Sequence, residues 1–349
     1  MTDIKSSAPI MVTGASGYVA SWIVRDLLDL GYTVHGTVRN TGNLRKVGHL
    51  QGMADAKKGA LRLFEADLLK DGSFSEAMRE CAVVIHTASP FQLNVKDAKQ
   101  ELIDPALFGT RNLLHTVNAQ EQVERVVLTS SVAAVYGDAA ELADKPEGKF
   151  TEEDWNLTSD LNHQPYNYSK TIAEKEAWAI AESQDRWQLQ TINPSFVLGP
   201  SLSGRLDSTS VDFMLSMVNG AYKTGVPDLY FGVVDVRDVA TAHIRAALSE
   251  EASGRHIVSN VELGVLEMAA ILRSEFGKKY PIPRRTLPKW LLYVVGPLRG
   301  FSWQYIGRNV GYPIRFDNSY SMEDLGMVYR PVEETLIEQV HDFEKKGLI

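Results

Sequence analysis

Short apolar runs rich in β-branched residues alternate with helical stretches through the first two-thirds of the chain. Parallel strands cannot be joined by tight turns and need crossover connections. The alternation therefore predicts βαβ units and an α/β fold built on a doubly wound parallel sheet. With 349 residues, 44% of them hydrophobic, the chain can bury a sizeable core. The predicted strands are residues 9–12, 33–38, 61–64, 83–86, 125–129 and 189–192, and the predicted helices include 19–30 and 105–119.

The pattern changes after Pro194, where the regular alternation ends. A loop rich in Gly and Ser leads to a predicted helix at 211–219, and then to a strand, a turn capped by Asp238 and a helix. Residues 254–260 are predicted to return to the large sheet as a strand. We expect one domain of residues 1–195 plus about 229–260, and a smaller, mostly helical lobe of about 196–228 plus 261–349.

Charge and cysteine content exclude several classes of protein. The net charge of −8 argues against an electrostatic nucleic-acid binder. The single cysteine, Cys81, excludes an intrachain disulfide framework and fits a reducing compartment, and no cysteine-rich zinc pattern is present, so we expect no metal.

The apolar content of the chain predicts no membrane segment. The N-terminus is too polar for a secretory signal. The most apolar later run, residues 290–298, is far shorter than the ~20 residues that span a bilayer, and we expect it to form a buried helix or line a pocket. The expectation is a soluble cytoplasmic protein, monomeric or homodimeric, with no nucleic-acid or membrane partner.

A glycine-rich turn follows the first predicted strand and opens a helix, with the spacing Gly14-x-x-Gly17-x-x-Ala20. Gly14 permits a tight turn, Gly17 lets the backbone approach a pyrophosphate at the helix N-terminus, and Ala20 keeps the helix close to the sheet. Arg39 follows the second strand, where an acid would bind the 2′-hydroxyl of NAD and an arginine suits a 2′-phosphate. The sequence therefore predicts a dinucleotide site that prefers NADPH to NADH.

A tyrosine and a lysine share one face of a later predicted helix, because Tyr166 and Lys170 are four residues apart. Hydride transfer to a carbonyl leaves an oxygen that must receive a proton, and a phenol of pKa ~10 is a weak donor unless a nearby cation lowers its pKa. Tyr168 points to another face of the helix, and Tyr136 has no lysine four residues on. Tyr166 is therefore the preferred proton donor.

The two-residue first gap of the glycine turn, with Ser131 and Tyr166-x-x-x-Lys170, resembles the extended short-chain dehydrogenase/reductase family within the NAD-dependent epimerase/dehydratase superfamily. The resemblance implies a Rossmann fold and a catalytic set of Ser131, Tyr166 and Lys170. Ser131, favoured over Ser130, would donate a hydrogen bond to the substrate oxygen, and Lys170 would lower the pKa of the phenol.

The same resemblance implies which residues contact NADPH/NADP⁺. Lys46 would add a second cation, Asp67 would bind the adenine amino group, and Pro194 and Val197 would lie beside the nicotinamide. His86, inside an apolar strand, is given no catalytic role. The implied cofactor residues are Thr13, Gly14, Ser16, Gly17, Tyr18, Val19, Arg39, Lys46, Asp67, Leu68, Thr87, Ala88, Ser89, Tyr166, Lys170, Pro194, Val197 and Ser210.

Within this family, the chain looks most like the dihydroflavonol reductase, cinnamoyl-CoA reductase and yeast-type methylglyoxal reductase group. The likeness rests on HTASPF, LTSSVAAV, YNYSK and INPSFVLGP as they stand in this sequence. The aromatic, cysteine-containing signature around the catalytic tyrosine of plant cinnamoyl-CoA reductases is absent, and QPYNYSK takes its place. This departure argues against a CoA thioester substrate.

The substrate pocket is expected between the two lobes. Its candidate residues are mostly apolar, which favours an uncharged aldehyde or ketone, and Arg205 is a possible anchor. Two alternatives stay open: an epimerase or dehydratase of nucleotide sugars that retains NAD, and a dinucleotide sensor without turnover. The candidate substrate residues are Phe91, Ser131, Val132, Tyr136, Tyr166, Phe196, Met214 and Met217.

Overall fold

A seven-stranded parallel sheet forms the centre of the protein, in a computed structural model that describes residues 8–89, 97–203 and 208–349. With strands numbered in chain order, the spatial order is 3-2-1-4-5-6-9. The predicted doubly wound fold is confirmed, and all six predicted strands are present with ends shifted by two residues at most. The strands are β1 (Ile10–Thr13), β2 (Thr33–Val38), β3 (Ala60–Glu65), β4 (Val83–His86), β5 (Arg125–Thr129), β6 (Gln188–Pro194) and β9 (Gly254–Val258).

Helices cover both faces of this sheet, which explains why its central strands are buried and mostly apolar. Every residue of β1 and β4 is buried. The first eight helices are α1 (Tyr18–Asp29), α2 (Leu44–Ala54), α3 (Ser75–Met78), α4 (Asp104–Asn118), α5 (Pro165–Glu182), α6 (Thr209–Val218), α7 (Val236–Leu248) and α8 (Val265–Phe276). The remaining four are α9 (Lys289–Val295), α10 (Trp303–Asn309), α11 (Ser319–Asp324) and α12 (Val332–Lys345). A π-helical turn, Lys99–Ile103, precedes α4, and 3₁₀ turns lie at Val132–Ala134, Ala139–Asp144 and Pro297–Arg299.

A smaller sheet contains β7 (Phe196–Leu198), β8 (Tyr230–Asp235) and β10 (Val261–Gly264). The strand β8 pairs in parallel with β7 and antiparallel with β10. Between β8 and β10 the chain returns to the large sheet as β9, which pairs with β6 as predicted. The proposed residue boundaries of the two lobes stay a prediction.

The cap of α7 differs from the sequence prediction. Asp238 lies inside the first turn of the helix, and the side chain that caps it is Asp235, which accepts a hydrogen bond from the Arg237 amide at 2.8 Å. An N-cap residue has an extended backbone, and β8 runs straight to Asp235 before the helix begins. Burial instead raises the pKa of Asp238 to about 6.

The apolar run at 290–298, predicted to form a buried helix or to line a pocket, is largely exposed instead. Trp290, Val294 and Leu298 are 68%, 65% and 86% exposed, whereas Leu292 is buried. A single short helix buries one side only, so the opposite side faces solvent. No helix within the described ranges is long and apolar enough to cross a bilayer.

The parallel strands bring their carboxyl ends to one edge of the large sheet. Strands β1 and β4 are neighbours there, although β2 and β3 lie on the other side of β1, so the strand order reverses between them. Ligands of open α/β sheets bind at such a switch point. Thr13, His86 and Thr129 end their strands at this edge.

Candidate active site

The turn after β1 has the geometry that a bound pyrophosphate requires. Gly14 has φ +61°, and a Cβ atom on it would lie 3.2 Å from the Cα of Ala88. Gly17 is the N-cap of α1 and brings no side chain to its first turn. The amide N–H groups of that turn have no partner within the helix, which is the usual basis of phosphate binding. The structure therefore fits the predicted dinucleotide turn.

A hydrogen-bonded link joins the loops after β1 and β4. The Thr13 hydroxyl accepts from the amides of Thr87 and Ala88 at 3.1 and 3.0 Å. It lies 2.8 Å from Nδ1 of His86. Burial, reinforced by the charge of Lys170, lowers the pKa of His86 to about 3, so this histidine is neutral. His86 thus helps to hold the ends of β1 and β4 together.

The side chain of Tyr18, a predicted cofactor residue, connects two elements of the fold. Its hydroxyl donates to the Gly199 carbonyl at 2.6 Å, and burial raises the pKa of the phenol well above its ordinary value. This bond connects α1 to the loop after β7. Tyr18 can therefore offer its backbone to a cofactor, while its ring holds two elements together. Ser16 is buried and Val19 is half-buried beside it.

The two candidate cations for a 2′-phosphate are both exposed. Arg39 directly follows β2, and Lys46 lies in the first turn of α2. The loop between them is held by Glu65, which accepts from the Thr41 amide at 2.9 Å and from its hydroxyl at 3.0 Å. Asp67 is exposed as well. Its carboxylate accepts from the Leu69 amide at 2.9 Å, while Leu68 packs against Gly109 of α4.

The helix α5 carries Tyr166 and Lys170, and it begins with an unusual backbone. Gln164, just before it, has φ +53°, and Pro165 is the first helical residue. Proline suits this place because its fixed φ is helical and its missing N–H has no helical partner. Ser131, after β5, has a side-chain hydrogen bond with Tyr166. The structure therefore brings Ser131, Tyr166 and Lys170 to the same edge of the sheet.

The electrostatics of this group favour a neutral phenol in the protein alone. Burial raises the pKa of Tyr166 to about 12, although the hydrogen bond with Ser131 acts in the opposite direction. The lowering of this pKa by Lys170, expected when Tyr166 gives up its proton, stays a prediction. Burial lowers the pKa of Lys170 itself to about 8, while Glu174 raises it. Tyr166 is therefore protonated at neutral pH.

Lys170 is buried beneath the sheet edge. Among the described residues, its hydrogen-bond partner is the Thr129 carbonyl at 3.5 Å. An ammonium group has three N–H donors, so Lys170 can also bind the hydroxyl groups of a ribose. A cavity of about 20 Å³, room for about one water molecule, lies beside it between His86, Ser130 and Glu174.

Glu174 is a buried carboxylate beside Lys170 that the sequence reasoning missed. It is buried one turn after Lys170 and accepts from Arg255 Nε at 2.6 Å and Asn193 Nδ2 at 2.8 Å. The Ser130 hydroxyl also donates to it. The signal was present in the sequence, since the four-residue spacing of Tyr166 and Lys170 continues to position 174.

The two neighbouring serines, Ser130 and Ser131, have different hydrogen-bond partners around this network. Ser130 is buried and donates to Glu174, which ties β5 to α5. Ser131 is less buried, its hydroxyl accepts from the Ala133 amide at 3.1 Å, and it shares the hydrogen bond with Tyr166. The geometry therefore favours Ser131 as the group that reaches a substrate.

A second buried carboxylate, Asp138, fixes the start of α5. It accepts from Gln164 Nε2 at 2.8 Å, His163 Nε2 at 3.0 Å, Arg308 Nε at 2.6 Å and Asn309 Nδ2 at 2.7 Å. Arg308 and Asn309 belong to α10, about 170 residues further along the chain. Asp138 thus connects the C-terminal part to the residues directly before Tyr166, and sequence spacing gave no sign of it.

The candidate substrate residues lie in two places, one group beside Ser131 and Phe196 in a separate aromatic cluster. Val132 and Tyr136 lie near Ser131, and the Tyr136 ring packs 5.1 Å from Phe150. The Phe196 ring is 5.2 Å from that of Phe213.

Two candidates for the lining of the substrate pocket, Met214 and Met217, have no exposed surface. Met214 and Met217 are completely buried in the core between α6, α8 and α12, so their assignment as lining residues is wrong for this structure. The physical reason is that α6 turns its apolar face inward, towards the small sheet. Phe91 and Arg205 lie outside the described residues.

Three cofactor candidates lie further along the chain. Pro194 ends β6 and is buried, and Val197 in β7 is half-buried against the core of the large sheet. Ser210 is buried at the start of α6. No three His, Cys, Asp or Glu side chains in the described part of the chain converge as a metal site.

Comparison with known proteins agrees with this geometry. Residues 10–261 match the NAD dependent epimerase/dehydratase family. A cinnamoyl-CoA reductase from Medicago truncatula is 39% identical over 340 residues, covering 97% of this chain and 96% of that protein. A dihydroflavonol 4-reductase from Gerbera hybrida is 32% identical over 277 residues, covering 79% of this chain and 74% of that protein.

A solved structure is similar over nearly the whole chain. The yeast methylglyoxal/isovaleraldehyde reductase Gre2, crystallised with NADPH, superposes with a TM-score of 0.79 at 29% identity, covering 98% of this chain and 100% of that one. The chain therefore belongs to the NAD dependent epimerase/dehydratase family, the extended short-chain dehydrogenases/reductases. The family and group predicted from the sequence are confirmed.

Proposed function

We propose that this protein is an NADPH-dependent reductase that transfers a hydride to the carbonyl carbon of an aldehyde or ketone and releases the alcohol. The observation that carries the proposal is the grouping of Ser131, Tyr166 and Lys170 at the sheet edge, beside the Gly14 turn. The name of the solved yeast relative, a methylglyoxal/isovaleraldehyde reductase complexed with NADPH, supports it.

The chain's own residues handle the proton and the developing negative charge. When bound, NADPH supplies the hydride. The Tyr166 hydroxyl donates its proton to the carbonyl oxygen, and Ser131 donates a hydrogen bond to that oxygen as charge builds on it. Lys170 stabilises the phenolate that Tyr166 leaves behind. A phenol whose pKa is raised to about 12 is protonated at neutral pH, which is the form that reduction requires.

Selection of NADPH is assigned to Arg39, whose planar guanidinium matches phosphate geometry. Arg39→Asp should lower kcat/KM with NADPH by about ten- to a hundredfold, since a hydrogen bond to a charged group contributes about 1.5–3 kcal/mol. The matched control is Arg79→Asp, an exposed arginine after α3. An unchanged ratio of NADPH to NADH efficiency would remove Arg39 from this role.

A CoA thioester is the second candidate substrate, because the 39% identical relative is named a cinnamoyl-CoA reductase. This chain has QPYNYSK in place of the aromatic, cysteine-containing signature of plant cinnamoyl-CoA reductases, which speaks against a CoA thioester. The test is NADPH consumption with methylglyoxal, isovaleraldehyde, an aromatic aldehyde and cinnamoyl-CoA, with NADH in parallel. Turnover of the aldehydes supports the proposal, and turnover of the thioester alone selects the second candidate.

The same assay separates the remaining alternatives. Tightly retained NAD in the purified protein, with no net oxidation of NADPH, would indicate an epimerase or dehydratase. NADPH binding without turnover of any compound on the panel would indicate a sensor.

A further inference from the structure

The surface formed by α9, the 3₁₀ turn Pro297–Arg299 and α10 carries large apolar side chains that no part of the proposed function uses. Trp290, Val294 and Leu298 follow each other at four-residue intervals and are 68%, 65% and 86% exposed. Trp303 is 68% exposed and Tyr293 39%. We call these five residues the α9–α10 ridge. Contiguous exposed apolar surface of this kind marks an interaction site more often than chance.

The ridge is held in one conformation by contacts behind it. The indole of Trp303 donates to the Tyr293 carbonyl at 3.0 Å, and Lys289 donates to the Val310 carbonyl at 2.7 Å. Leu292 and Ile306 are buried in the core beneath it. The exposed side chains therefore face outward because the buried sides of both helices are already packed.

The chain segment that carries the ridge, residues 276–316, has a net charge opposite in sign to that of the rest of the protein. Residues 276–316 contain eight basic residues and no acidic residue, whereas the remaining chain has 28 basic and 44 acidic residues. The exposed members include Arg284, Arg285 and Arg299. The eight basic residues are Lys278, Lys279, Arg284, Arg285, Lys289, Arg299, Arg308 and Arg315.

Two of these cations, Arg285 and Arg299, lie along the edge of the ridge. Arg299 directly follows Leu298 and acts electrostatically on Tyr222. Arg285 donates to the Thr224 carbonyl at 3.0 Å, which places it beside the exposed Lys223. Asp212 also acts on Tyr222, so this edge has mixed charge, whereas the segment that carries the ridge does not.

We propose that the α9–α10 ridge binds the surface of an anionic lipid bilayer. Tryptophan prefers the boundary between headgroups and acyl chains, and Leu298 and Val294 can enter the apolar layer. The flanking cations are attracted to acidic headgroups, each contributing about a fivefold gain in binding. The acidic remainder of the chain is repelled, which orients the protein with the ridge towards the lipid.

This inference departs from the sequence-based expectation of no membrane partner, and it concerns surface binding without a spanning segment. It is independent of the proposed function, because binding is measured without turnover. The inner side of α10 contacts Asp138 through Arg308 and Asn309. The ridge therefore lies one helix away from the residues that fix the start of α5.

The test is co-sedimentation of the full chain with vesicles of phosphatidylcholine alone, and of phosphatidylcholine mixed with phosphatidylserine. We expect binding to the mixed vesicles that weakens with added salt, because counterions screen the charges. Brominated lipid in the mixed vesicles should quench tryptophan fluorescence, since Trp290 and Trp303 would enter the interface.

Matched variants separate the ridge from the rest of the surface. Trp290→Gln combined with Leu298→Gln should lower the partition coefficient by about tenfold or more, because two large apolar side chains no longer enter the lipid. Val328→Gln is the control, since Val328 is 82% exposed outside the ridge. Arg299→Glu should weaken binding, and Lys58→Glu, also at an exposed site, should not. Unchanged urea unfolding confirms that each variant is folded.

Three results would overturn the proposal. The first is an absence of binding to the mixed vesicles at low salt. The second is equal binding to neutral and anionic vesicles. The third is self-association of the chain, in the absence of lipid, that Trp290→Gln with Leu298→Gln abolishes, since the ridge would then be an interface between two copies.

Discussion

Replacing Glu174 by Gln should destabilise the protein strongly, because this carboxylate lies at the centre of a buried network. Its side chain has no exposed surface, and the paired Arg255 side chain is only 9% exposed. Glu174→Gln keeps the size of the side chain and removes its charge. Arg255 would then be left as a buried cation without its carboxylate, and an amide NH₂ would face the donor groups of Ser130 and Asn193.

The expected magnitude follows from the burial of the pair. Removing one partner of a buried ion pair costs about 3–5 kcal/mol, because the remaining charge is uncompensated. Glu176 on the same helix provides the matched control. It pairs with Arg111 at 2.6 Å, but these side chains are 26% and 41% exposed. Glu176→Gln should therefore cost at most about 1 kcal/mol.

Urea unfolding of the two variants measures this difference directly. A shift in the midpoint at an unchanged m-value reports stability. Because Glu174 raises the pKa of Lys170, Glu174→Gln should also move the alkaline limb of kcat/KM to lower pH. If the free energies of unfolding of the two variants agree within about 1 kcal/mol, the network around Glu174 does not have the importance assigned to it.

Three further changes probe other parts of the site. Burial lowers the pKa of Lys170 to about 8, so its ammonium is lost as the pH rises through that value, and kcat/KM for carbonyl reduction should fall there in a pH–rate profile. Arg308→Ala removes a donor from buried Asp138, which should cost about 1.5 kcal/mol in urea unfolding and lower kcat while leaving the NADPH dissociation constant unchanged. Gly14→Ala forces a Cβ atom to within 3.2 Å of Ala88 at φ +61°, which should cost about 1–3 kcal/mol and weaken NADPH binding in a fluorescence titration.

Each of these changes has its own control. Lys170→Arg keeps the charge above pH 10, and a wild-type profile that stays flat to that pH would contradict the assignment to Lys170. Arg308→Lys should restore part of kcat, whereas a purely structural role would move stability alone. Gly52→Ala lies in α2 with no atom within 4 Å of the added Cβ, so it should not weaken NADPH binding. Equal effects of the two glycine changes would refute the special role of Gly14.

The large sheet could be predicted because its information is local. A short apolar run rich in β-branched residues marks each buried parallel strand. The helix between two such strands makes the connection a right-handed crossover. The proximity of Tyr166 and Lys170 could also be predicted, since residues four apart lie on one face of a helix. Ser131 was implied by the resemblance to the short-chain reductases, and the meeting of the strands' carboxyl ends at one edge fits its position beside Tyr166.

The parts that failed depend on contacts between distant segments. An apolar residue on α6 has the same sequence signature whether it faces a pocket or a closed core, so Met214 and Met217 were misplaced. Asp138 meets Arg308 across 170 residues, and no local pattern reports that pairing. The apolar run at 290–298, predicted to be a buried helix or a pocket lining, is largely exposed. Hydrophobicity alone does not show which side of a short helix the core covers.

The central claim is that Tyr166 donates the proton during carbonyl reduction, and one comparison tests it most directly. Carbonyl-dependent NADPH oxidation is measured for the wild-type protein, for Tyr166→Phe and for Tyr168→Phe, whose side chain lies on another face of α5. We expect Tyr166→Phe to lose about 10²–10⁴-fold in kcat with an unchanged NADPH dissociation constant. Tyr168→Phe should retain its activity. Wild-type turnover by Tyr166→Phe would contradict the account.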